Sequence, residues 1–391
     1  MSLLTPSLSV ELAALSYDIK KPSSVFGGYD LKITSTVKGF FSFDLSNGPI
    51  KATSGGVVSH MKGNETGFVL VGKGVTTVGR SNPFKNDLVF AIRGTDAASD
   101  WSSDFRTSIC ASESGKTIHS GFNAIFEMIK GPLSKHVEQM KPGGTLHCVG
   151  HSLGGALALM VADWVKSTYA CDVRLYSFGA PKVGYTDFAL SATNRIGIKN
   201  IYRCINGGDV VPMVPVWPFM HVPYNSAEYR LDNSKLMNPM QHKMVRYSRN
   251  CTGKNWESIN KEVGFHSARR VVLSVTQAAQ VQSSIFWMDR LSEALLTALR
   301  DAKHGAANIL QSSVANGLNL YDQMAMILCD GALTMPSLEG PVTGLLACML
   351  KFAGYAGVRI KELSYEFIRW VFEQTLKMVY RLARTALSLV D

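Results

Sequence analysis

Residues 150–154 read Gly-His-Ser-Leu-Gly, between the run "TLHCVG" and the alanine-rich run "GGALALMVADWV". A serine hydroxyl attacks an ester carbonyl only when a base removes its proton. That base, usually histidine, needs a carboxylate to fix its tautomer and stabilise its charge. The pattern G-x-S-x-G suits such a serine when it turns sharply from a strand into a helix. Side chains at the two glycine positions would collide with the flanking strand and helix. A helix beginning at Leu153 also aims backbone N–H groups at the space above Ser152, where an oxyanion would form. Ser152 is therefore the expected nucleophile and the Leu153 N–H an expected oxyanion donor. His151 shares the turn and is expected to point away from Ser152.

Asp209 follows the strand-like "NIYRCI" and precedes "VVP". It thus stands at a strand's carboxyl end, where active sites of α/β proteins gather. Asp187 competes but sits in a helix-like stretch. Three histidines after Asp209 are candidate bases: His221 in "PFMHVPYN", His242 in "MQHKMVRYS" and His266 in "EVGFHSARR". "KMVRYS" reads as a strand opposite "EYRLD", which would aim His242 along a sheet edge. On the residues alone His266, His242 and His221 all stay open as the base.

The elements that must hold these groups follow from hydrophobic periodicity. A short helix is predicted around Val10 to Tyr17, followed by strand-like alternation such as "GFVLVGKGV". From Asp87 onward, buried runs ("DLVFAIRG", "TLHCVG", "VRLYSFGAP") alternate with helical stretches, "GFNAIFEMIKGPLSKHVEQM" and "GGALALMVADWVKSTY". That order predicts an α/β fold with a mostly parallel central sheet. After about residue 268 only helical spacing remains. The apolar "GPVTGLLACMLKFAGYAGV" is short and carries Lys351, so it reads as a buried hairpin or a membrane-surface segment, not a span. The expected organisation is a catalytic body, 1–267, and a helical C-terminal extension, 268–391.

Four further stretches, in order, resemble landmarks of the class 3, fungal-lipase-like family of α/β hydrolases: "VFAIRGTDAASDW", "IHSGF", "YSFGAPKVG" and "INGGDVVPMVP". The resemblance spans roughly residues 85 to 270. It implies an α/β-hydrolase fold and adds Thr95, directly after Arg-Gly, as a second oxyanion donor. It also implies that Asp209 is the acidic triad member and that His266, after a loop and before a helix, is the base. The segment between Thr95 and His119 carries a lid in the family. Trp101, Phe105 and Ile109 recur there every four residues, which would put them on one helical face that seals the site or enters lipid. Such a stripe serves equally well as permanent core.

The resemblance implies a serine ester hydrolase acting on lipid fatty-acyl esters, a lipase or phospholipase, through an acyl-enzyme and without metal or other cofactor. The alternatives are an esterase or thioesterase on soluble substrates, or a catalytically silent lipid-binding or membrane-remodelling protein. Of the 391 residues, 46% are hydrophobic and 18% charged, richer in apolar groups than an average soluble domain. The net charge of +10 is scattered, without a basic run, which excludes a nucleic-acid stripe and suits an anionic membrane surface. The C-terminal helices, with no counterpart in compact fungal-type lipases, are expected to dock on membrane, to bind a protein partner such as a chaperone, inhibitor or secretion component, or to complete the core. Seven cysteines, odd in number and without C-x-x-C, argue against a disulfide framework or a zinc site. With no basic, then apolar, leader at the N-terminus, synthesis in a reducing cytoplasm without a signal peptide is expected, with membrane association or export by a non-classical route. Bacterial lipase effectors delivered by specialised machines are proteins of this build.

Overall fold

A computed structural model of the chain describes residues 2–22, 28–53, 65–76, 81–94, 109–302 and 320–389. These fall into two compact units, one of residues 1–234, 238–262 and 383–391, the other of 235–237 and 263–382.

The first unit is built on a sheet of β1 (Phe41–Phe43), β2 (Ile50–Ala52), β3 (Thr66–Gly74) and β4 (Leu88–Ile92), outside which lies a small hairpin of β5 (Ile109–Ala111) and β6 (Thr117–His119). The sheet continues through β7 (Thr145–His151), β8 (Asp172–Phe178), β9 (Ile201–Ile205), β10 (Glu228–Arg230) and β11 (Asn260–Glu262). Spatial order is β1-β3-β4-β7-β8-β9-β10-β11, with β2 also on β3. The four pairings from β4 to β10 are parallel, and antiparallel strands flank them on both sides. The parallel core arises because β4, β7 and β9 are buried along their whole length, which only a sheet covered on both faces allows.

Helices α1 (Pro6–Leu15), α2 (Ser35–Phe40), α3 (Ser120–Glu138), α4 (Leu153–Thr168), α5 (Thr186–Ile196) and α6 (Met244–Cys251) complete this unit. α1 starts cleanly: Thr5 caps it by accepting the Leu8 N–H, and Pro6 takes the first turn, where no N–H is needed. It packs with α6 on a cluster that includes Leu8, Leu12, Val149, Phe178, Cys204 and Tyr247. Each such aliphatic or aromatic side chain, fully buried, contributes roughly 1.5–3 kcal/mol. Strand side chains alternate between faces, so His147 and His151 share the α1 face with Val149. On strand β7 the sequence thus sends two imidazoles under the N-terminal segment.

His147 Nε2–H donates to Asp87 Oδ2 at 3.0 Å, and Tyr176 O–H reaches His147 Nδ1 at 3.4 Å. Leu4 N–H then donates to the Tyr176 oxygen, and Trp256 Nε1–H donates to the Leu4 carbonyl. Ser2 Oγ donates to Asp87 as well. The start of the chain is thus held by this polar network as well as by its buried leucines.

The second unit holds α7 (Ile285–Asp301), α8 (Leu320–Thr334), α9 (Pro336–Phe352) and most of α10 (Tyr365–Leu387). The segment expected as a hairpin or membrane-surface piece is instead part of one helix, α9, with Leu345, Leu346, Cys348 and Phe352 buried. The chain leaves α9 at Gly354, φ +92°, where Tyr355 N–H donates to Leu350 O and Gly354 N–H to Lys351 O. Glycine at that left-handed position ends the helix; no reversal is needed inside the apolar run. Among the described residues no helix is long and apolar enough to cross a membrane.

Candidate active site

Ser152 sits between the end of β7 and the start of α4 with φ 58° and ψ −132°. That conformation costs of order 1–3 kcal/mol for a residue with a side chain and persists only where packing enforces it. The flanking glycines show what enforces it. A Cβ on Gly150 would lie 2.2 Å from the Gly154 carbonyl oxygen, and one on Gly154 would lie 2.1 Å from the Ile92 carbonyl oxygen. Only glycines let helix and strands approach this closely, and the serine is pushed into the turn they leave.

Ser152 Oγ–H donates to His242 Nε2 at 2.8 Å, and His242 Nδ1–H donates to Asp209 Oδ2 at 2.8 Å. All three residues are 0% exposed. Since an ionised Asp209 only accepts, Nδ1 carries the imidazole proton and Nε2 is left free to take the serine's. Leu153 is the first residue of α4, so its N–H has no intrahelical acceptor, whereas Gly155 and Ala156 N–H groups turn back to the Ser152 carbonyl. Thr95 lies outside the described residues. Its neighbour Gly94 is pinned by buried Arg93, whose guanidinium donates to the Gly94 and Gly67 carbonyls.

The carboxylate is held from several sides. Val211 N–H donates to Asp209 Oδ1 at 3.0 Å, and Tyr247 O–H donates to Oδ2 at 2.5 Å. Burial, then the Asp209 charge, pushes the Tyr247 phenol well above its ordinary range, so it remains a donor. Asn206 ties the supporting elements together: its side-chain N–H donates to Gln241 O, and its backbone N–H donates to the Tyr247 oxygen. Gly179, φ +59°, is the other close approach, since a Cβ there would meet Asp209 Oδ2 at 2.7 Å and Tyr247 Oη at 2.8 Å.

The histidine brought to Ser152 and Asp209 is therefore His242, not His266. His266 belongs to the second unit, where its backbone N–H donates to Glu293 and its Nδ1 accepts the Ala268 N–H. Both positions a base would fill, at Ser152 Oγ and at the Asp209 carboxylate, are filled by His242. Residues 239–242 form a 3-10 turn and "MVRYSRNC" forms helix α6, so the strand expected after His242 is absent. Tyr247 and Cys251, four apart, are the buried pair in α6, and that spacing is helical. His221 is held by the backbone of Pro212, and burial keeps it well below the ordinary histidine range. Asp187 accepts the Thr117 backbone N–H at 2.9 Å and so serves the β6 strand. Trp101 and Phe105 lie outside the described residues. Ile109 starts strand β5, paired with His119, so it cannot belong to a helical lid face.

The sequence reading missed Tyr247, although an exposed or buried tyrosine one and a half turns after a candidate base was a usable signal. It missed Gly179 as well, where "SFGAP" places a glycine at a strand end facing Asp209.

A serine on a strained strand-to-helix turn, served by histidine and aspartate from later loops of a parallel sheet, defines an α/β-hydrolase fold. Residues 89–219 match the model of the family "Lipase (class 3)". Over that segment the chain resembles class 3 lipases. The chain is similar to a secreted mono- and diacylglycerol lipase of Fusarium solani, 31% identical over 188 residues that make up 46% of this chain and 52% of the relative. It is also similar to a chloroplastic phospholipase A(1) of Arabidopsis thaliana, 27% identical and covering 34% of each chain. A solved structure of the LIP2 lipase of Yarrowia lipolytica aligns over 61% of this chain and 82% of that one, with 19% identity and a TM-score of 0.45. The chain spans about half or less of the length of the first curated relatives it matches. The fungal mono- and diacylglycerol lipases among them are secreted by name, which overturns the expected origin in a reducing cytoplasm without a signal peptide.

Proposed function

We propose that this protein is a serine ester hydrolase that cleaves fatty-acyl esters of lipids through an acyl-enzyme. The observation that carries the reading is the continuous, buried chain of hydrogen bonds Ser152–His242–Asp209, each link 2.8 Å. In this reading Ser152 Oγ attacks the acyl carbonyl while its proton passes to His242 Nε2. The Asp209 carboxylate, braced by Tyr247 and Val211, holds the imidazole by Nδ1–H and offsets the positive charge it gains. The Leu153 N–H, at the positive end of α4, binds the developing oxyanion, together with a donor from Thr95. Loss of one such donor costs about 3 kcal/mol of barrier. The imidazolium then returns its proton to the leaving alcohol, and water repeats the sequence on the acyl-serine.

Support for a lipid substrate comes from the family match and from relatives named as mono- and diacylglycerol lipases and as phospholipase A(1). The net charge of +10 favours a substrate presented on an anionic surface. In the second unit, Phe286 and Leu333 are exposed at 59% and 75%, which supports a role for the helical extension as a contact surface for lipid or a protein partner. The test is fatty-acid release from defined diacylglycerols and phosphatidylglycerols by the wild type and by Ser152→Ala. Release that disappears in the variant is expected; release that persists removes the proposal.

A further inference from the structure

His151 precedes the nucleophile, yet its ring makes no bond to Ser152. Its Nδ1 lies 2.7 Å from the Tyr17 oxygen and its Nε2 lies 2.8 Å from the His242 carbonyl oxygen. A carbonyl oxygen can only accept, so Nε2 carries the proton and Nδ1 accepts from the Tyr17 O–H. One tautomer satisfies both bonds. The ring is 0% exposed, and burial, then the neighbouring His242, holds it well below the ordinary histidine range, so it stays neutral. The His151 and His242 rings stand 4.8 Å apart, tilted by 31°. The N-terminal segment thus reaches the catalytic histidine through the His151 imidazole.

We infer that Tyr17 and His151 are positioning residues, which fix the backbone of His242 so that its Nε2 stays in line with Ser152 Oγ. The inference rests on the serine-hydrolase reading above. Residues 151 and 152 are adjacent, and each bonds a different end of His242: His151 the carbonyl, Ser152 the ring. Together they clamp the 3-10 turn of residues 239–242 to the nucleophile's own turn. The turn is tied down elsewhere by the Asn206 bond to Gln241 O, the Asn238 N–H bond to the Gly208 carbonyl and the His242 ring bond to Asp209, and none of these holds the His242 carbonyl. A neutral His151 also matters for the reaction. When His242 becomes an imidazolium during attack, a second cation 4.8 Å away would oppose it; burial, then the neighbouring His242, keeps His151 uncharged.

The test compares Tyr17→Phe, His151→Gln and His151→Leu with wild type in hydrolysis of p-nitrophenyl butyrate, a soluble monomeric ester. Histidine 15N NMR on Tyr17→Phe and wild type accompanies the kinetics. A glutamine amide can still donate to the His242 carbonyl, whereas leucine cannot. The expected order of kcat is wild type, then Tyr17→Phe and His151→Gln about tenfold lower, then His151→Leu about a hundredfold lower, with KM within twofold throughout. The wild-type spectrum is expected to show His151 as the Nε2–H tautomer, with Nδ1 losing its hydrogen-bonded shift in Tyr17→Phe. If Tyr17→Phe and His151→Leu keep wild-type kcat, or if His151→Gln is no better than His151→Leu, the positioning role is wrong. If Ser152→Ala is as active as wild type, the hydrolase reading fails instead, and the tautomer seen by NMR still reports on the Tyr17–His151 bond.

Discussion

Replacing Gly179 by alanine tests how tightly the triad is packed. Gly179 has φ +59°, and a Cβ added there would lie 2.7 Å from Asp209 Oδ2, 2.8 Å from Tyr247 Oη and 3.1 Å from His242 Nδ1. The backbone strain alone costs roughly 1–2 kcal/mol of stability. The contacts add a second effect. Ordinary contact begins at 3.4 Å, so the Asp209 oxygen must retreat from 2.7 Å, by about 0.7 Å, and carry His242 with it. A misplacement of about 1 Å at a reacting centre costs about a hundredfold, so kcat should fall roughly 30- to 100-fold. Gly143→Ala is the control: its φ is +75°, and nothing lies within 4 Å of the added Cβ. In urea unfolding Gly179→Ala should lose more stability than Gly143→Ala, by about 1–3 kcal/mol for the displaced groups, and only Gly179→Ala should lose kcat on p-nitrophenyl butyrate. A kcat for Gly179→Ala within threefold of Gly143→Ala, with both folded, would refute the packing argument.

Tyr247→Phe removes a donor from a buried carboxylate, an interaction worth about 1.5–3 kcal/mol, and should lower kcat roughly ten- to 150-fold with KM unchanged; wild-type kcat would exclude a role for Tyr247. Asp187→Asn should keep activity within twofold while Asp209→Asn loses about 10⁴-fold, and equal losses would reopen the choice of carboxylate. Stability should depend on pH through the buried histidines. Burial, against the opposing pull of Asp87, holds His147 below the ordinary histidine range, and burial holds His151 well below it. Each binds fewer protons folded than unfolded, so their contribution is whole above about pH 6.5 and is lost as pH falls toward the folded values, with a slope of up to about 1.4 kcal/mol per pH unit per group. Urea unfolding from pH 7.5 to 5 measures this; His147→Gln should flatten the curve, and stability that rises on acidification would contradict it.

What could be read from the residues was local. Ser152, its glycines and Leu153 form one turn of five residues, and Asp209 stands where a strand visibly ends; neither depends on distant packing. The base does depend on it. His242 reaches Ser152 through bonds between residues far apart in sequence, among them Asn206 to Gln241 and Tyr247, on helix α6, to both Asn206 and Asp209. "KMVRYS" alternates well enough to pass for a strand, and only the buried pair Tyr247 and Cys251 betrays the helix. Ile109 failed as a lid residue for a similar reason: three residues at a four-residue interval carry a helical signal, but a paired strand begins at the third. The roles of Tyr17 and His151 were illegible because more than a hundred residues separate them, and only the alternation of strand β7 under the N-terminal segment brings them together.

The central claim is that His242 is the base. The most direct measurement is kcat/KM for p-nitrophenyl butyrate in His242→Ala and His266→Ala, each checked for folding by circular dichroism. Loss of about 10⁴-fold or more in His242→Ala, with His266→Ala within twofold of wild type, is the predicted result. Retained activity in His242→Ala, or its abolition in His266→Ala alone, would contradict the account.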